Sequence, residues 1–365
     1  MPISATDTIS LAFRHTKQQL IEPFRFGQWT RLALVGLLAG EMGSGSGFNV
    51  PSSFPHQSGS SRHFAQNVLP NIDPVTLAVL ITILVIAGLA FGILMMYISS
   101  VMRFILFDSI LAKKCHIRQG WQRRQAPGWR LFLWQLGFSA VTLLAMAILF
   151  GIPALIAYSL GWFNSPHDHL VGLIVGGIIL FFLLVVFFVV LAVVHVLTKD
   201  FVVPQMAFEG IGAMEGWRRL LRMLETEKAG YAGYIGMKIV LAIGASIVIG
   251  IASIAVIFLL LIPVIALGVG AVIAGKTAGL TWDVFTITLA VVVGIILFVL
   301  LMYLMALVAV PAIVFFPAYA IYFFAARYRP LSLVLYPPPP QAPPTVEPTG
   351  GPPEPPPLPP TFAPA

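Results

Sequence analysis

Chemistry needs ionisable or ligating side chains held together, and few places in this 365-residue chain offer them. The densest is His167-Asp168-His169, with His56 and His63 as further imidazoles in an earlier connection. A metal centre needs donors at fixed geometry, and a histidine pair in a short connection does not supply it, so no metal site is expected. No His-Glu-x-x-His or Gly-x-Ser-x-Gly pattern occurs. The Gly43-Ser44-Gly45-Ser46-Gly47 run follows no strand and opens no helix, so it reads as a connector rather than a phosphate cradle. Glu41 precedes that run and is expected at the outer surface, becoming an intramembrane carboxylate only if the apolar run before it packs deeply. His195 and Lys238 fall near the ends of apolar runs, as an interfacial histidine and a snorkelling lysine do. These residues predict no catalytic, cofactor-binding or metal-binding constellation, and the expectation is a protein that is not an enzyme and carries no cofactor.

The elements behind those residues are dictated by composition. Hydrophobic residues make up 58% of the chain and charged residues 10%, with a mean hydropathy of +0.93. That leaves too little polar surface to coat a water-soluble particle, and it excludes a largely disordered chain, a coiled coil, a disulfide-rich secreted fold and an ordinary cytosolic enzyme. Cys115, the single cysteine, cannot form an internal disulfide. The first 25 residues are interrupted by Asp7, Arg14, Lys17 and Glu22 and lack the pattern of a cleavable signal.

About 20 apolar residues cross a hydrocarbon core of about 30 Å. Five stretches qualify: about 75–102, 131–160, 170–197, 238–273 and 284–325, all free of Asp, Glu and Arg in their interiors apart from edge residues. A weaker sixth runs from Trp29 to Phe48, ahead of the others. The stretch 238–273 alone would reach about 54 Å as a helix, so its excess must tilt, bend or project. Pro153, Pro263, Pro311 and Pro317 are candidate kinks, since proline removes a backbone donor and crowds the preceding turn.

Charge orients these spans. Nineteen of the 21 basic residues lie before or at the start of the weak run, in or at the edge of the two long connections after 102 and 197, or after 325; Arg62 and Lys276 are the exceptions. By the positive-inside rule the N-terminus, both connections and the C-terminus are cytoplasmic, which requires the weak run to cross and favours six spans over five. The expected organisation is all-α: a cytoplasmic amphipathic segment over 1–26, a six-span polytopic helix bundle over 27–330, and a disordered Pro-rich cytoplasmic tail over 331–365.

Both long connections carry a related motif. Gly120-Trp121-Gln122-Arg123-Arg124 and Gly216-Trp217-Arg218-Arg219 are offset by 96 residues, and Arg103 through Asp108 matches Lys199 through Pro204 at the same offset. Leu149 through Pro153 aligns with Leu259 through Pro263 after about 14 further residues in the second copy. Two helix pairs in a parallel repeat would give this pattern, as would chance likeness between basic connections. From Met214 to Glu225 the apolar Met214, Trp217, Leu220, Leu221 and Leu224 gather on one helical face opposite the charges, while Ile9, Phe13 and Leu20, and Ile110, Ile117 and Trp121, give weaker stripes. Basic residues beside such stripes attract anionic headgroups. The lipid-interface candidates are Trp121, Arg123, Arg124, Trp217, Arg218, Arg219 and Arg222.

The tail from Pro337 to Ala365 holds 15 prolines in 29 residues and favours an extended spacer, with Pro340-Gln341-Ala342-Pro343 and Pro357-Leu358-Pro359-Pro360 as possible ligands for a protein partner. No nucleic-acid partner is expected despite the pI of about 9.7, because the basic charge follows the membrane topology.

Pro23-Phe24, Trp29 and Arg31-Leu32-Ala33-Leu34 before a glycine-rich stretch resemble the N-terminal signature of a family of uncharacterised prokaryotic multi-pass membrane proteins. Asp200-Phe201-Val202-Val203-Pro204, Gly216-Trp217-Arg218-Arg219 and Val310-Pro311 through Arg327 are more distantly similar to the membrane domain attached to some glycerophosphodiester phosphodiesterases. The resemblance implies a six-helix domain in a prokaryotic plasma membrane; it implies no phosphodiesterase activity, which belongs to a separate soluble domain. Two functions remain: a membrane-organising or scaffolding component, or a small-molecule or lipid transporter built on the helix-pair repeat. A polar cavity reaching mid-membrane near Pro153 and Pro263 would favour the second.

Overall fold

The structure is a computed structural model that describes residues 4–41, 74–162, 167, 169–277 and 284–336. His56, His63, Arg62, Asp168, the Gly43 to Gly47 run and the tail from residue 337 lie outside the described residues. Every regular element described is helical. Two short helices, α1 (Asp7–Leu20) and α2 (Phe26–Leu38), precede α3 (Pro74–Leu111), α4 (Ile117–Ser159) and α5 (Leu170–Leu197). A π-helical turn over Thr198–Val202 leads into α6 (Val203–Glu209), followed by α7 (Ala213–Thr226), α8 (Lys228–Thr277), α9 (Val284–Ala325) and α10 (Arg329–Leu335).

Five helical stretches are long and apolar enough to cross a membrane: Val75–Leu111, Ile117–Ser159, Leu170–Glu209, Lys228–Gly270 and Thr288–Ala325. Burial divides them lengthwise. Residues 75–95 of α3 are exposed throughout, and burial begins at 96 and continues to the helix end. The bare part is 21 residues, about 32 Å of helix against about 30 Å of hydrocarbon. In α9 the change comes near Met305. The excess helix length therefore goes into a common core, where the buried ends of α3, α5, α8 and α9 pack with α1, α2, α6 and α7.

The weak run starting at Trp29 does not form a sixth membrane-length helix among the described residues. Helix α2 has 13 residues, about 20 Å, and stops at Gly40, whose φ of 75° only glycine adopts freely. The Glu41 N–H donates to Gly36 O and the Gly40 N–H to Leu37 O, closing a Schellman motif. This turn corrects the expected place of Glu41: its side chain is buried in an ion pair with Lys199 rather than at an outer surface. α1 and α2 sit at the same end of the helices as the two basic connections, whereas α3 starts at the far end.

Both short helices are held by the C-terminal end of α3, where the last carbonyls of a helix lack intrahelical donors. Gln19 Nε2 donates to Ser109 O at 3.1 Å, His15 Nε2 lies 3.1 Å from Ile110 O, Gln28 Nε2 donates to Lys113 O at 2.8 Å, and Arg31 Nη1 reaches Cys115 O at 3.5 Å. Of the expected Ile9, Phe13, Leu20 stripe of α1, Leu20 is buried and Ile9 packs against the core, but Phe13 is 66% exposed, and Thr8, Ala12, His15 and Gln19 complete the buried face. Polar residues face inward here because the neighbouring surface offers orphan carbonyls.

Helix α9 continues through Pro311 and Pro317, and α4 through Pro153. Proline at 311 cannot donate to Leu307 O, four residues back. The Trp29 indole N–H donates to that carbonyl at 2.9 Å, so a side chain from α2 replaces the missing helical bond.

Candidate functional site

The densest chemistry lies inside the core, where helix ends expected to be loops remain helical. Arg103 through Asp108 belongs to α3, and Lys199 through Pro204 passes from the π-helical turn into α6. Consecutive helical residues point about 100° apart, so Lys199 and Asp200 face different neighbours. Lys199 Nζ pairs with Glu41, and Asp200 Oδ2 accepts from Lys238 Nζ and, at 2.9 Å, from the Tyr234 hydroxyl. Glu41, Asp200 and Lys238 are all 6% exposed or less. Buried charges persist when paired and hydrogen-bonded, and these two pairs meet that condition.

Arg103 is a fifth charge without a carboxylate of its own. Its Nε donates to Ala39 O at 3.3 Å and its Nη2 to His195 Nε2 at 3.5 Å, while Nη1 is buried without a partner. The group of five thus carries three cations and two carboxylates. Glu41, Arg103, Lys199, Asp200 and Pro317 line a cavity of about 30 Å³, enough for about one or two waters and too small for an organic substrate. Beneath it Phe201, fully buried, packs edge-on against Tyr231 and Tyr234 at centroid distances of 5.2 and 5.1 Å and lies 5.3 Å from Phe324.

Further ion pairs tie the outer end of this core. Arg124 grips both Asp108 oxygens at 2.7 Å and donates to Ala207 O at 2.8 Å. Arg327 holds Glu227 at 2.6 and 2.8 Å and lies 3.8 Å above the Phe323 ring. Arg219 and the Tyr328 hydroxyl both donate to Glu209. Burial, then the hydrogen bond to Glu209, push the Tyr328 phenol upward. Burial likewise raises the Cys115 thiol, and burial together with Lys113 holds His15 below the ordinary imidazole range.

The seven lipid-interface candidates divide. Arg123, Arg218 and Arg222 are exposed. Arg124 and Arg219 are taken up in ion pairs, Trp121 packs edge-on at 6.1 Å from Tyr97, and Trp217 stacks 6.3 Å from Trp134. In α7 Ala213, Gly216 and Leu220 are buried and Trp217 and Leu224 pack against the core, so the expected stripe holds at Trp217, Leu220 and Leu224 and is corrected at Met214 and Leu221, which stand outward, 62% and 50% exposed. Ile110 is fully buried within α3 rather than on a connecting helix. Pro153 is exposed on α4, away from the polar cavity, which Pro317 lines instead. His167 is exposed and His169 stacks on Trp162 at 6.1 Å; among the described residues no group of three His, Cys, Asp or Glu could hold a metal.

Asp200, Tyr234 and the unpaired Arg103 Nη1 were not singled out by sequence reasoning. One signal was present: the 96-residue offset sets Arg103 against Lys199, and these cations meet the end of α2, at Ala39 O and at Glu41. The glycines of the two Gly-Trp motifs also make similar close approaches: a Cβ at Gly120 would come within 3.1 Å of Ile105, and one at Gly216 within 2.8 Å of Val202.

Motifs far apart in the chain, from Trp29 to Arg327, thus meet in one core, and a sequence match of the same extent accompanies them. Residues 3–334 match the model for a family of unknown function (DUF7544). The chain belongs to this family. The DUF7544 match takes in the whole ionic cluster and stops before the Pro-rich tail. Neither a curated protein nor a solved structure matches the chain.

Proposed function

We propose that this DUF7544 member is a non-enzymatic, multi-pass protein of a prokaryotic plasma membrane that organises anionic lipid at its cytoplasmic face, with both termini on that side. The observation that carries the reading is the outward face of α7, where Met214 and Leu221 stand exposed among Arg218 and Arg222. Apolar side chains flanked by exposed arginines, of which Arg218 lies 3.9 Å from Glu215, suit a headgroup layer, each arginine gaining about 1 kcal/mol near an anionic surface. Phe13, Ile21, Phe24 and Phe26, each at least 57% exposed, repeat the pattern beside Arg14, Lys17 and Arg25. The Pro-rich tail would reach for a protein partner from the same side.

The test is the preference of spin-labelled phosphatidylglycerol over phosphatidylcholine for the reconstituted protein. Wild type should prefer the anionic lipid, and R218Q/R222Q should reduce that preference by about five-fold, as expected for about 1 kcal/mol per arginine partly screened by salt. An unchanged preference would reject the role of α7. A second reading, transport of a small molecule or lipid by a parallel helix-pair repeat, draws on the buried cluster at the π-helical turn, since π-turns and buried ions often mark working sites. It is the weaker reading because the cavity there is small and sits at the helix ends.

A further inference from the structure

Arg103 separates the small ionic cavity from a second, larger one. The latter, about 260 Å³, opens between α3, α4 and α5 and is lined by Ser99, Arg103, Trp134, Gln135, Phe138 and His195 among others, with no carboxylate in its wall. Arg103 is 9% exposed, and its Nη2, which carries two N–H groups, donates one to His195 in the wall of this cavity, while Nη1 is buried without a partner. The Ser100 hydroxyl donates to Gln135 Oε1 at 2.7 Å, which turns the Gln135 amide so that Nε2 is its donor end. His195 Nε2 accepts from Arg103 and braces the guanidinium. Glu41 and Asp200 face Arg103 from the ionic cavity on its other side, and cationic and amide donors in a wall that holds no carboxylate are the chemistry of an oxyanion site.

Depth indicates the source of the oxyanion. The bare stretch of α3 ends at residue 95, so the Arg103 backbone lies about 12 Å further along the helix, and side chains on a helix lean back toward its N-terminus. The guanidinium therefore reaches the level of the headgroups. Met96 and the stacked pair Trp134 and Phe138, 5.2 Å apart, line the cavity, and Val141, three residues beyond Phe138 on α4, is apolar and 64% exposed. A ligand with a phosphate at one end and an apolar chain at the other fits this gradient.

The geometry points to a stoichiometric phospholipid site in which the headgroup phosphate accepts from the second N–H of Arg103 Nη2 and from Gln135 Nε2 while an acyl chain lies along Trp134 and Phe138. This site deepens the anionic-lipid role proposed above and rests on it, but uses residues distinct from those of α7.

The experiment is calorimetric titration of the purified full-length protein in uncharged detergent with dioctanoyl phosphatidylglycerol, and separately with inorganic phosphate. One saturable lipid site is expected, with phosphate binding at least ten-fold more weakly. R103Q should weaken lipid binding at least ten-fold. Q135E, on a half-buried side chain whose bond from Ser100 survives, should do the same by setting a carboxylate opposite Arg103, and it guards against misfolding of R103Q. R218Q/R222Q should leave this site unchanged while altering the spin-label preference, so the two roles fail separately. Wild-type affinity in Q135E, or the absence of a saturable site, would overturn the proposal; equal affinity for inorganic phosphate would overturn its lipid source.

Discussion

The two ends of the long helices are built from different chemistry. At one end, residues 75–95 of α3 and most of 288–300 of α9 are apolar, uncharged and exposed along their length. At the other, the same helices carry Arg103 and Asp108 or reach Arg327, and their residues are buried among aromatic rings and ion pairs. Between helices in lipid there is no hydrophobic drive toward association, because acyl chains are as apolar as leucine. The bare ends therefore need only to be apolar and long, whereas the packed ends must match shape, charge and hydrogen bonding. Specificity of the fold resides in the second region.

The largest expected effect of breaking that contrast comes from Asp200→Ala, which strips the acceptor from Lys238 and from the Tyr234 hydroxyl. Orphaning a buried cation should cost about 3–5 kcal/mol, read as a collapse of the thermal transition in detergent; a melting curve like wild type would mean water already satisfies Lys238. Next is Trp29→Phe, which leaves Leu307 O without its donor and should cost about 1–3 kcal/mol. Adding Pro311→Ala restores the helical N–H to that carbonyl, so the double variant should be more stable than Trp29→Phe alone, and strict additivity would refute the link.

A smaller, pH-dependent effect is expected at His15, whose ring contacts Ile110 O and the Tyr322 hydroxyl and faces Lys113. Because its folded pKa is lowered, the unfolded chain takes the proton first, and the stability held above pH 6.5 is lost as pH falls through and below that value. Melting temperature should drop between pH 7.5 and 5.5 in wild type and less in His15→Gln. The smallest effect is Leu84→Ala, on a side chain 72% exposed, which should change stability by less than about 0.5 kcal/mol. If it cost the roughly 2–5 kcal/mol of a core leucine such as Leu32, the bare end would be a packed interface and the comparison would fail.

Much of this was legible because lipid imposes a simple code. Uninterrupted apolar runs and a segregated basic charge located all five long helices to within their packed ends. Those ends were misread as loops, since Arg103, Lys199 and Asp200 look like terminators when helix length is judged against the membrane alone. Glu41 was misplaced for a related reason: its partner, Lys199, lies 158 residues away, and no local pattern announces the pair. The stripe of α1 is only partly legible because its inward face mixes Ala12 and Leu20 with Thr8, His15 and Gln19, the last two matched to the carbonyl end of α3.

The sequence by itself determined the helical class, the five apolar lengths and the end of the molecule where the charge collects, because hydropathy and residue count act locally. Only the tertiary structure decided that α2 stops short at Gly40, that Glu41, Lys199, Asp200 and Lys238 pair in the core, and that Arg103 keeps one guanidinium edge unpaired. Those are contacts between distant segments, and their energies depend on burial and complementary geometry that exist only once the chain has folded.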